Sequence, residues 1–349
     1  MTYLKSIENF RAIAIIVIVA GHALNFSNFP NSLFFQNFFY NFFTGGTFYF
    51  VFISGVLFHH VFYINFNYKN FIKGKIKNVF LPYLILSIIF LTYIIFTYQD
   101  NIFNTEQNSL FFESAFFIIK KLLLGDHVMG YWYIPFIMSI FIFSHIFIRY
   151  IKLNNVNKFM ILFVLLINSI LMMRPNTSSF LSLIQSVLYF FPVYIIGILY
   201  SENRHKINSL IFKKEKILLF FSIFFLIFHI FLGNNIDRSD DFFIFQGIDL
   251  LFFHKLLFVF FIISFFISRP DSKFSILGQV SANSFGIFFL HGLFLKAFNK
   301  FTNSLLIDFE ISYFFTFPMI FLITFLTCFY TTEIFKKLLG NKSKYFIGS

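Results

Sequence analysis

The chain has 349 residues, 58% of them hydrophobic and only 12% charged. A soluble domain is roughly half apolar and about a quarter charged, so this chain lacks the groups for a solvated shell. The formal net charge is +12, but the basic residues fall in short clusters between apolar runs. No continuous basic face exists to track phosphates, which excludes nucleic acid as a partner.

A spanning helix needs about 20 mostly apolar residues. Ten segments meet that need: 11–29, 42–63, 79–98, 131–150, 159–174, 180–200, 216–233, 248–268, 281–299 and 311–334. The first follows Lys5 and Arg11, in the manner of a signal peptide, but no convincing small-residue cleavage site precedes Pro30. It reads as a retained helix. Between the third and fourth segments, Phe116–Leu124 is apolar but too short to span, and is expected to lie along the interface or re-enter. The last segment holds the single cysteine, Cys328, so neither an intrachain disulfide nor a Cys-based metal site is expected, and no metal is assigned. The predicted fold is all-α: one polytopic membrane bundle of about ten helices over residues 1–349.

The connections alternate in charge. Lys69, Lys73, Lys75 and Lys77 follow the second segment, and Arg149, Lys152 and Lys158 follow the fourth. Arg204, Lys206, Lys213, Lys214 and Lys216 follow the sixth, Arg269 and Lys273 the eighth, and Lys336, Lys337, Lys342 and Lys344 end the chain. The alternate connections are poorer in Lys and Arg. The positive-inside rule and an even number of spans both place the two termini in the cytoplasm of a multi-pass cell-membrane protein.

Ionisable groups inside a membrane are costly, and each is a functional candidate. Arg11 and His22 are eleven residues apart, about three turns, so both lie on one face of the first helix. The axial separation is about 16 Å. Histidine serves as a general base near neutral pH, and the arginine fork suits a phosphate or carboxylate. The alternative is that Arg11 only follows the positive-inside rule and His22 packs at an interface. Asp249 and His254 lie five apart on different helix faces, which favours structural contacts, and the adjacent His59 and His60 cannot share one ligand from one face. Tyr131, Trp132 and Tyr133 read as an aromatic belt, with sugar stacking as a second reading.

The run Ile7-Glu8-Asn9-Phe10-Arg11-Ala12, followed by apolar residues and Gly21-His22, resembles the opening of the acyltransferase family 3 membrane proteins. That family carries a basic residue, ten intervening residues and a histidine on its first helix. Further similar motifs follow in the family's order: Gly45-Gly46-Thr47 leading to Ser54-Gly55, Lys73, Lys75 and Lys77 leading to Pro82-Tyr83, Tyr131-Trp132-Tyr133-Ile134-Pro135, and Phe285-Gly286 leading to Leu290-His291. The chain departs from the pattern in having lysines where arginines are common, and Val56 where Phe is usual.

The resemblance implies transfer of an acyl group, usually acetyl, from acyl-CoA to a hydroxyl of a surface polysaccharide or lipid-linked glycan. By the same resemblance His22 would activate the hydroxyl and Arg11 would help hold the donor or shape its path. Lys73, Lys75 and Lys77, with Ser54 and Tyr83, are the expected acyl-CoA-binding residues, and Trp132, His127 and His291 are the expected substrate-lining residues. The partners implied are acyl-CoA, the glycan and membrane lipids, with no permanently bound cofactor. A transporter or exporter of a glycan precursor is the competing reading; it predicts repeats or paired broken helices, and no clear one is present.

Overall fold

The computed structural model describes residues 4–26, 33–102, 110–172, 179–232, 243, 245, 247–269, 275–305 and 313–349. Among these the secondary structure is helical, apart from one isolated bridge between Met172 and Phe245. The helices are α1 (Lys5–Leu24), α2 (Leu33–Phe43), α3 (Thr47–Leu57), α4 (Tyr68–Lys75), α5 (Leu81–Ile102), α6 (Leu110–Leu124), α7 (Tyr133–Ile142) and α8 (Ser144–Ile151). They continue as α9 (Asn155–Leu171), α10 (Phe180–Glu202), α11 (Arg204–Ile211), α12 (Glu215–Phe231), α13 (Leu250–Ile267), α14 (Ser275–Leu305), α15 (Tyr313–Leu339) and α16 (Ser343–Phe346).

Each of the ten expected segments is helical where it is described. Among the described residues seven helical stretches are long and apolar enough to cross a membrane, and eight if α7 and α8, bent by 52°, count as one broken span. The other two expected spans, α9 and α12, are 17 residues each. At 1.5 Å per residue that is about 26 Å, at the lower limit for a hydrocarbon core about 30 Å thick. "About ten" therefore becomes seven or eight by length, with two shorter helices beside them. The stretch expected along the interface forms α6, a 15-residue helix.

Two π-helical turns interrupt the pattern, at Phe58–Phe62 and Ile76–Phe80. The second directly precedes Leu81-Pro82. Pro82 has no N–H to give to the preceding turn and its ring crowds the carbonyl four residues back, so the helix widens there.

α1 is the centre of the bundle. Its buried residues include Phe10, Ala12, Ala14, Ile15, Val19, Ala20 and Ala23, and it packs on α2, α3, α13, α14 and α15. The small alanines let neighbouring helices approach closely, which is how membrane bundles gain packing without a hydrophobic driving force. α9 and α12 turn Phe159, Phe163, Phe220 and Phe224 outward, exposed by half or nearly so. Such a surface would promote aggregation in water and is the natural face toward lipid.

α3 and α10 touch backbone to backbone. A Cβ on Gly55 would collide with the Tyr194 carbonyl oxygen, and one on Gly197 with the Phe52 carbonyl oxygen. Gly197→Val is expected to destabilise the protein by about 2 kcal/mol or more through overpacking. Gly74→Ala, where nothing lies within 4 Å of the added carbon, is the control. Thermal midpoints of the purified proteins in detergent check this: equal midpoints for both variants would show that the α3–α10 contact yields freely.

Candidate active site

Two ionisable residues of α1, Arg11 and His22, face the same partner helix. Arg11 Nε donates to Ser281 Oγ at 3.0 Å, and Nη2 donates to the Ser281 carbonyl at 2.6 Å. Eleven residues on, the His22 ring stacks on His291, with centroids 5.2 Å apart and planes at 29°. The residue numbers rise together along both helices, so α1 and α14 run parallel.

The Arg11 end is a polar knot. Ser281 and Asn283 are fully buried. Lys336 of α15 donates to the Ala282 carbonyl at 2.9 Å and to Asn283 Oδ1, while Asn283 Nδ2 donates to Glu333 at 2.6 Å. The last residues fold back onto the same end: Ser349 Oγ accepts from the Gly286 N–H at 2.7 Å, and the Lys77 ammonium lies 4.5 Å from the Tyr345 ring centre. The start of α1, the basic run and the C-terminal segment therefore share one end of the bundle.

The His22 end is a narrow cleft with a cavity volume of about 30 Å³. Its walls include His22 and Asn25 from α1, the Thr44–Thr47 turn, Gly130 and Trp132 ahead of α7, and Phe288 from α14. His291 lies behind His22 and is fully buried. Its Nδ1 donates to the Phe288 carbonyl at 2.5 Å, and among the described residues its Nε2 has no hydrogen-bond partner. A ring that donates through Nδ1 carries its lone pair on Nε2.

Gly130 is what leaves room here. Its φ is +87°, a conformation that favours glycine. A side-chain carbon at this residue would sit 3.1 Å from His291 Cε1, 3.3 Å from His291 Nε2 and 3.7 Å from His22 Nε2. The nitrogen edges of both imidazoles thus converge on one point that glycine keeps empty.

Trp132 is half-buried and lines the cleft. Its neighbours do not form a belt: Tyr131 and Tyr133 are buried in the core. Tyr131 donates its hydroxyl proton to the Phe289 carbonyl at 2.8 Å. Apolar partners on α7, α10 and α14 outcompete the interface for these rings. His127 is not on the cleft wall. It is buried between the rings of Tyr83 and Tyr131, donates Nδ1–H to the Lys121 carbonyl at 3.1 Å, and its own carbonyl accepts from Lys296 at 2.8 Å. Tyr83 is buried too and donates to the Leu122 carbonyl at 2.7 Å. Ser54 is half-buried and bonds the Tyr133 side chain.

The basic run splits. Lys73 and Lys77 are exposed. Lys75 turns inward, its ammonium 4.9, 5.2 and 4.6 Å from the ring centres of Phe62, Phe71 and Phe141. Faces of aromatic rings carry negative potential and hold a cation in place of water.

One ionisable residue near the cleft escaped the sequence reading. Lys255 of α13 is 6% exposed, and its Nζ packs directly on Gly45 of the Thr44–Thr47 turn. Its signal was present, a lysine within an apolar span, one residue beyond His254. Asp249 and His254 make structural contacts, as their spacing suggested. Asp249 caps α13 through the Phe252 N–H at 3.0 Å and accepts from Tyr189 at 2.6 Å; His254 Nδ1 lies 2.9 Å from Ser222 Oγ. His59 Nδ1 lies 3.0 Å from Ser201 Oγ.

Burial pushes the His127 imidazole from its ordinary value of 6.5 down to about 4, so the folded protein holds it neutral. An unfolded chain binds that proton more readily. The stabilising contribution is therefore complete above pH 6.5 and is lost as pH falls toward 4. The thermal midpoint is expected to drop over this interval, and His127→Gln, which keeps a donor for Lys121, should flatten the drop. Identical pH slopes would show that His127 takes up its proton without cost.

The chain matches the family model described as an acyltransferase domain, of the acyltransferase 3 type, over residues 4–333. No curated protein and no solved structure matches it. The match spans nearly the whole chain, including the Arg11 knot, the His22 cleft and the spanning helices that carry them. The protein is a membrane acyltransferase and belongs to the acyltransferase 3 family.

Proposed function

We propose that this acyltransferase moves an acyl group, acetyl being the expected one, from acyl-CoA to a hydroxyl of a surface polysaccharide or lipid-linked glycan. The observation that carries the reading is His22 on the wall of a cleft shared with Trp132. An imidazole there can take the proton of an incoming hydroxyl, and an indole offers a flat face to a sugar ring.

The thioester is already activated, so the protein need supply only a base, orientation and a donor toward the developing oxyanion. Exposed Lys73 and Lys77 suit the phosphates of the coenzyme at the end where Arg11 lies. On this reading that end faces the cytoplasm, where acyl-CoA is found. Arg11, held sideways on Ser281, shapes the path of the donor's arm toward His22, about 16 Å away along α1. The exporter reading has no comparable support, since the matched family is an acyltransferase family.

The test replaces His22 with Ala and measures labelled acetyl incorporated, as base-labile ester, into the membrane glycan of expressing cells. Incorporation is expected to fall at least about 100-fold, the scale of a lost general base, with glycan abundance and membrane insertion unchanged. Loss of the glycan itself would support export instead, and unchanged acylation would remove His22 from the reaction.

A further inference from the structure

His291 is built as a partner to His22, and the geometry fixes what it offers. Its ring is fully buried, its Nδ1–H is committed to the Phe288 carbonyl, and its Nε2 lone pair has no partner among the described residues. A buried nitrogen left without a partner is costly relative to a paired one. That lone pair points where the nitrogen edge of His22 points, at the space over Gly130. The cleft wall is formed by His22 and Gly130, while His291 stands one layer behind, so it acts through His22 and not on substrate directly.

We propose that His291 is the positioning residue for His22: its ring stacks against the His22 ring, and its electron-rich Nε2 edge, beside the nitrogen edge of His22, stabilises the imidazolium that forms during transfer. The inference rests on the acyl-transfer reading above. In the step, the acceptor hydroxyl forms its oxygen–carbon bond to the thioester carbonyl carbon as its proton passes to His22. The carbon–sulfur bond then breaks, its electron pair leaves with sulfur, and the thiolate takes the proton from His22 to give free thiol. His291 neither gains nor loses a proton over the cycle.

The experiment uses inverted membrane vesicles of the expressing strain, which carry their own glycan acceptor, titrated with acetyl-CoA labelled in the acetyl group. His291→Phe keeps a stacked ring and removes the lone pair; His291→Gln restores an acceptor oxygen without the ring. The maximal rate per mole of protein is expected to fall about 30-fold or more in the Phe variant, with the apparent KM for acetyl-CoA within about twofold. The Gln variant is expected to recover about tenfold over Phe. A wild-type maximal rate in His291→Phe, or equal losses in Phe and Gln, would overturn the proposal, because packing alone would then account for the residue. Where the Phe variant does not accumulate in the membrane, His291→Leu against His291→Gln gives the same comparison at similar volume, with the same two outcomes. Failure of the acyl-transfer reading looks different: the unmodified protein would give no label in glycan at all.

Discussion

The seam between α1 and α14 is the constraint on which the rest of the bundle depends. A polar side chain in a span must find a polar partner, because lipid offers none. Arg11 finds Ser281 and His22 finds His291. Eleven residues on α1 cover about 16 Å and ten on α14 about 15 Å, so both pairs are in register only if the helices run parallel and nearly aligned. The first and ninth of the ten apolar segments expected from the sequence run in the same direction if all ten cross, and the parallel pairing agrees with that order. It also explains why a residue 270 positions away belongs to the first helix's chemistry.

The seam separates two kinds of environment. At the Arg11 end, Ser281, Asn283, Glu333 and Lys336 satisfy one another, and the final residues close over them. At the His22 end the groups are left less satisfied: among the described residues His291 Nε2 lacks a partner, Gly130 holds a conformation that favours glycine, and a narrow cleft remains. Strain and unpaired nitrogen persist only where surrounding packing enforces them. The packing here is aromatic, with Phe288 tilted against the His291 ring and Tyr131 tying the loop before α7 to the α14 backbone. The abundance of phenylalanine, uninformative as a count, thus has a local use at this site.

Much of the fold was legible because hydropathy and helix length report directly on lipid thickness. Every expected span is helical, and the same-face placement of Arg11 and His22 follows from 3.6 residues per turn alone. What periodicity cannot show is which neighbour a face meets. Tyr131 and Tyr133 carry the composition of an interfacial belt, yet they are buried, because α10 and α14 lie against them. Lys75 stands in a run of lysines that reads as uniformly solvated, yet it points into three rings supplied from Phe62, Phe71 and Phe141. Each of these facts lives in contacts between helices. The 52° bend between α7 and α8 and the π-turn before Pro82 are legible only in part, the second through its proline.

The separation along the seam also limits how the two motif residues can cooperate. An arginine whose Nε and Nη2 both lie on Ser281 is turned across to α14, not along α1 toward His22. With about 16 Å between them, the two cannot act on the same reacting atoms. On the proposed reading, their joint presence on one helix fits a substrate that is long and lies along the seam, with a charged part at one end and a reacting part at the other. A coenzyme thioester has that form: phosphates at its head, a flexible arm and an acyl carbon at its tip. On the proposed reading, the spacing of the motif is a measure of the donor, and the parallel pairing of α1 with α14, through Arg11–Ser281 and His22–His291, sets that measure.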